Sequence, residues 1–164
     1  MQLGEGFAGE GPNAAHVNTV LGSRDGPVGT AWATALATPR QGHAAFVVVL
    51  RPGVPTLPFT LFVNKATIES DTHATMTWGP AQAGVAAGVA RAVERNVVRD
   101  VTHVLITAVW VNPQADDADA VYANNVQATI DALTMGQVGL SPPADIEVWN
   151  PFFTPRDQPA TKPR

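Results

Sequence analysis

Residues 14–22 read Ala-Ala-His-Val-Asn-Thr-Val-Leu-Gly. Ala15, Val17, Thr19 and Leu21 alternate with His16, Asn18 and Val20, the two-residue period of a strand buried on one side and polar-tipped on the other. Gly22 ends it. Such a strand needs neighbours, and three further stretches supply them. Residues 44–50 are a continuous apolar run rich in valine, 59–68 carry Lys65 and Thr67 on one face, and 103–111 are again apolar. Each has the length and composition of a strand.

Between these runs the period lengthens to that of a helix. Val28, Ala31, Trp32, Ala35 and Leu36 recur at helical spacing, with Pro27 at a favourable first position and Pro39 as a stop. Ser70 is a cap for a short helix reaching Trp78. Gly79-Pro80 opens a longer one with Val85, Val89, Ala92 and Val93 on its apolar stripe. The last helix opens at Asp116, Asp117 and Asp119, acids suited to a positive helix start, and its stripe is Tyr122, Val126, Ile130 and Leu133. Strands and helices mix without strict alternation, so the fold class is α+β, a sheet packed with helices. After Met135 the text turns to Gly, Pro and scattered aromatics. Residues 1–135 are therefore expected to form the domain and 136–164 a C-terminal extension with a disordered tip, whose Trp149, Phe152 and Phe153 are able to dock.

Composition narrows the function. At 164 residues one domain is expected, and 45% hydrophobic residues are enough for a core. Only 15% of residues are charged, a fraction that fits surface hidden in an oligomer. A net charge of −4 argues against a grip on nucleic acid. The absence of cysteine excludes disulfides, thiolate nucleophiles and cysteine-held metals. No apolar run is long enough to span a bilayer, and the first residues lack a secretion signal, so the expected location is cytoplasmic.

One cation invites explanation. Lys65 is the only lysine ahead of the extension, and it stands in an otherwise apolar run. By strand period it shares a face with Thr67, as His16 does with Asn18. Gln82 falls in the first turn of its helix, near unpaired backbone N–H donors. A proton-transfer group, a cation, a hydroxyl and two amides make a set suited to a polar, planar ligand. Each also has a plain structural reading: His16 as a hydrogen-bonded interior histidine, Lys65 as an edge guard, Thr67 as a strand former, Gln82 as a cap. His43, His73 and His103 form no metal-ligand spacing, and Arg91, Arg95 and Arg99 read as a solvated helix edge. Gly4-Glu5-Gly6 and Gly9-Glu10-Gly11 lack the lysine and helix of a phosphate loop.

The same residues carry a resemblance. Gly4-Glu5-Gly6, Gly9-Glu10-Gly11, Ala15-His16-Val17-Asn18 and Gly22-Ser23-Arg24 resemble the opening of the formaldehyde-activating enzyme family. Phe62-Val63-Asn64-Lys65-Ala66-Thr67-Ile68 is similar to its most distinctive strand, and Gly79-Pro80-Ala81-Gln82-Ala83-Gly84 to its signature loop and helix. Ala115-Asp116-Asp117-Ala118, followed by Tyr122, Asn124 and Asn125, is similar to its last helix. The match runs in order from Gly4 to about Leu133.

The resemblance implies condensation of formaldehyde with tetrahydromethanopterin to methylene-tetrahydromethanopterin and water. It implies a fold related to the second domain of ribosomal protein S5 and a homopentamer with the pterin, a co-substrate, bound between subunits. No metal is implied. The family's catalytic histidine falls on His16, and its pterin contacts on Asn18, Val47, Lys65, Thr67 and Gln82. A histidine acid suits the chemistry, because the hydroxyl of the first adduct leaves only when protonated. This chain also departs from the family: Asn18 stands where an aspartate is usual, Gln41 and Ala83 where histidines are, and Val47 where leucine is. Asn18 brings no negative charge beside His16. The alternatives are a non-catalytic pterin- or formaldehyde-binding sensor or carrier, activity on another aldehyde and amine pair, or a Schiff base on Lys65.

Overall fold

The computed structural model describes residues 1–138. Its main sheet has five strands: β1 (Gln2–Ala8), β2 (Ala15–Gly22), β3 (Ala45–Val47), β6 (Phe59–Asn64) and β7 (Val104–Trp110), in the spatial order β1-β2-β7-β6-β3. All neighbours are antiparallel except the parallel pair β6 and β7. A separate two-stranded ribbon joins β4 (Val49–Arg51) to β5 (Val54–Pro55). The helices are α1 (Pro27–Ala37), α2 (Asp71–Met76), α3 (Gln82–Glu94) and α4 (Ala118–Val138). The mixed α+β class stands, with α3 and α4 packed on one face of the sheet.

The alternation in β2 is realised: Ala15, Val17, Thr19 and Leu21 are buried, while His16, Asn18 and Val20 are half-buried on the other face. Beside it lies β1, a strand for which no apolar alternation speaks. In β1 the even positions Gly4 and Gly6 pass beneath α4. A Cβ on Gly4 would overlap the Ala132 carbonyl, and one on Gly6 the Ala128 carbonyl. Glycine is needed there because the helix backbone lies directly on the strand. The helices approach each other in the same way, since a Cβ on Gly84 would sit 2.5 Å from the Tyr122 carbonyl oxygen.

Four expectations are corrected. The run 44–50 is two strands, because the buried Val48 donates its N–H to Thr60 (2.9 Å) and accepts one from Thr56 (3.2 Å), after which β4 leaves the sheet. The strand from Phe59 stops at Asn64, short of Ile68, because the Asn64 amide donates to the carbonyls of Gly42 (2.8 Å) and Ala66 (2.6 Å) and holds the chain in a bend. Gly79-Pro80 does not open a new helix. Ser70 caps α2 through the His73 N–H (3.1 Å), and a π-turn over Thr77–Ala81 runs on into α3. Pro80 has no N–H for the ladder, which accounts for the slip in register. On α4, Val121 takes the buried place expected of Tyr122, which is exposed, while Val126, Ile130 and Leu133 are buried as read.

Asp117 Oδ1 accepts from the N–H groups of Asp119 and Ala120, both at 3.0 Å, so the acids do start α4. The helix continues through Val138, three residues past the boundary drawn at Met135, and the extension's aromatics lie outside the described residues. Helix α1 forms as read, yet of its apolar stripe only Val28 is buried; Ala31 and Leu36 face solvent. Among the described residues no helix is long and apolar enough to cross a membrane.

Candidate functional site

Where α3 and α4 do not reach, the other face of the sheet is partly bare, and β1 and β2 present their odd and even positions there. Register sets Glu5 opposite Asn18, and places His16 between Phe7 and Trp110. The His16 Nε2 lies 2.5 Å from Glu5 Oε1, and Lys65 Nζ donates to Asn18 Oδ1 at 2.6 Å. Lys65 reaches Asn18 although it lies past the end of β6, because its N–H still bonds the Val109 carbonyl at 2.8 Å. Four side chains from three segments thus meet.

Their electrostatics follow from the contacts. The Glu5 carboxyl is held below the usual carboxylate range, first by the hydrogen bond from His16, against partial burial, and further by the Asn18 side chain and the charges of His16 and Lys65. Half-burial pushes the Lys65 ammonium below the usual lysine range, and the Glu5 charge opposes this. A carboxylate can only accept and an ammonium only donate; the Asn18 amide, which can do both, accepts from Lys65 and stands opposite Glu5 in register. A negative charge thus stands beside His16, on Glu5 of the neighbouring strand. Glu5 was missed as a site residue because β1 was missed. The alternation of Leu3, Glu5 and Phe7 with Gly4 and Gly6 was the signal for both.

Beside this chain is a mainly apolar cleft of about 400 Å³ lined by Phe7, Gly11, His16 and Trp110, with the Phe7 and His16 rings 5.9 Å apart. The remaining predicted residues are not in it. Val47 and Gln82 line a second cleft of about 360 Å³ with Phe46, Val49 and Trp78 at the β3 edge. Gln82 is not beside free helix N–H groups: its Oε1 accepts from the Val49 N–H at 2.9 Å and ties β4 to α3. Nor do Thr67 and Lys65 share a strand face. Thr67 Oγ1 meets His43 Nε2 at 3.1 Å, and His43 Nδ1 meets the Asn64 carbonyl at 3.0 Å. His73 is buried against the Val111 carbonyl and His103 pairs with Asp100. Among the described residues no group of three or more His, Asp or Glu is placed to hold a metal ion.

By fold and site this is a small α+β protein with a cluster of Glu5, His16, Asn18 and Lys65 on the bare side of its sheet. The family model for formaldehyde-activating enzyme (Fae) matches residues 3–146, and the chain belongs to that family. It is 39% identical over 140 residues to a 5,6,7,8-tetrahydromethanopterin hydro-lyase of Methanosarcina barkeri, covering 84% of this chain and 79% of the relative. It is 40% identical over 131 residues to a bifunctional enzyme Fae/Hps of Methanosphaera stadtmanae, covering 78% of this chain and 32% of the relative. A similar bifunctional enzyme of Methanococcoides burtonii is 40% identical over 132 residues, 79% of this chain and 33% of its own length. The matched part is thus about a third of the bifunctional relatives.

Proposed function

We propose that this chain condenses formaldehyde with tetrahydromethanopterin to methylene-tetrahydromethanopterin and water, with His16 as general acid. The observation that carries the reading is the pairing of His16 with an ionised Glu5 at the mouth of an aromatic-walled cleft. Formaldehyde adds to a pterin nitrogen to give a carbinolamine. An imidazolium protonates its hydroxyl, water leaves, and the second pterin nitrogen closes on the iminium. Formaldehyde and the pterin react unaided, so much of the gain comes from positioning. Lys65 and Asn18 hold polar edges of the pterin near His16, Val47 and Gln82 contact it from the second cleft, and Thr67 contacts it from its place beside His43.

Two clusters within one chain suit a ligand bound where one subunit's His16 region faces the next subunit's Gln82 cleft. The exposed, uncharged α1 provides apolar surface for such an assembly, read here as a cytoplasmic homopentamer. The domain of residues 1–135 carries all of these groups, on a fold of the ribosomal protein S5 domain 2 type. The test mixes protein, formaldehyde and tetrahydromethanopterin and follows methylene-pterin against the spontaneous rate. Acceleration that disappears in His16→Ala is the expected result. Measurable pterin binding without acceleration overturns the enzyme reading and leaves a binding protein.

A further inference from the structure

Glu5 determines which nitrogen of His16 can exchange a proton, an inference that rests on the reading of His16 as the acid. The contact runs from Glu5 Oε1 to Nε2 of the ring. An ionised carboxylate offers only lone pairs, so Nε2 must carry the hydrogen. The hydrogen bond from His16, opposed by partial burial, holds the Glu5 carboxyl below the usual carboxylate range, so at neutral pH it is ionised. Neutral His16 then has its single proton on Nε2 and an open lone pair on Nδ1. We propose that Glu5 is a positioning residue that locks the Nε2–H tautomer of His16, so that the catalytic proton enters and leaves at Nδ1.

The residue at position 18 completes the device. Lys65 Nζ donates to Asn18 Oδ1, which leaves the Asn18 NH2 as the donor facing Glu5 in register, and Glu5 in turn meets His16 Nε2. An aspartate at 18 would accept from Lys65 but would face Glu5 with a second acceptor. The side chain that looks like a lost charge is the one that lets Glu5 be oriented from behind. The titratable and charged groups here are Glu5 from β1, His16 from β2 and Lys65 from the segment after β6; β7 contributes the uncharged Trp110.

The step balances. The imidazolium gives its Nδ1 proton to the carbinolamine oxygen, and the C–O bond breaks with its electron pair leaving on water. The pterin nitrogen lone pair forms C=N, and His16 is left neutral with Nε2–H still on Glu5. One positive charge passes from ring to iminium, both within the field of the same carboxylate.

Two measurements decide it. In the free protein, long-range ¹H–¹⁵N correlation of the histidine rings, assigned with His16→Gln, is expected to show neutral His16 protonated on Nε2, and a mixture of tautomers in Glu5→Ala. A ring protonated on Nδ1, or one unchanged in Glu5→Ala, overturns the proposal whatever the substrate. In the condensation assay, Glu5→Ala and Glu5→Gln are expected to lower kcat about 10- to 100-fold with KM within about threefold, and Glu5→Asp to recover part of the loss. Loss in KM alone overturns the positioning role. If the native protein gives no acceleration, the proposed function falls, while the tautomer assignment is judged by the spectra alone.

Discussion

The two faces of β1 and β2 are built from the same fifteen residues of chain, alternate side chains going each way, and they tolerate opposite things. The covered face is glycine, alanine and valine pressed against helix backbone, with Ala15 and Val17 fully buried and no room for a methyl at Gly4 or Gly6. The bare face carries Glu5, His16 and Asn18, exposed or half-buried and held by hydrogen bonds, with the exposed Phe7 ring against His16. One face is specified by shape and the other by donor and acceptor order. Neighbouring residues in a strand therefore answer to different physics.

The sharpest way to test that contrast is to alter each face at one residue. His16→Ala is expected to remove about 10²- to 10⁴-fold of the catalysed rate while stability moves by only about 0.5 kcal/mol, measured by condensation kinetics and urea unfolding of the same sample. Next in size, Gly6→Ala is expected to cost about 3 kcal/mol or more, because the Ala128 carbonyl belongs to a helix and cannot step aside. If that protein unfolds at the native denaturant midpoint, β1 does not bear α4 as described.

Asn18→Asp is milder. It sets two carboxylates opposite each other in register and is expected to raise the Glu5 carboxyl, changing the rate by less than about tenfold. A large gain in rate would instead mean that Glu5 does not replace the missing charge. The smallest effect concerns acid. The Glu5 carboxyl is depressed in the folded state, so its contribution is present above its unfolded value and is lost as pH falls through the folded one. With much of the side chain in solvent the change is shallow. Comparing unfolding midpoints from neutral pH downward, Glu5→Gln is expected to show a flatter slope than the native chain.

Much of this was legible in the sequence, and the exceptions share a cause. β2, β7, α3 and most of α4 follow from periodicity, since one face of each carries apolar side chains into the core between sheet and helices. β1 did not, because its buried positions are glycines, which carry no hydropathy signal while meeting a helix backbone. The overrun at Lys65 and the split at Val48 come from side chain and tertiary hydrogen bonds, Asn64 to Gly42 and Val48 to Thr60, that no local pattern encodes. The sequence offered the residue types, and only some of them are brought together by the fold. His16, Asn18 and Lys65 meet, but Val47, Thr67 and Gln82 are held elsewhere in the chain. Glu5 needed the β1 register before it had any meaning.

That register also bears on how the gene can change. In β1 a glycine follows Leu3 and another follows Glu5, so a one-residue change in length between Gly4 and Gly6 would set the two glycines in opposite parity. Only one of them could then lie under α4, and a side chain from the rest of the strand would be driven against the helix backbone. Losses or gains in pairs leave the parity intact. Indels of one residue thus remove fold and chemistry together, and descendants of this chain are expected to vary the length of this strand only by even steps.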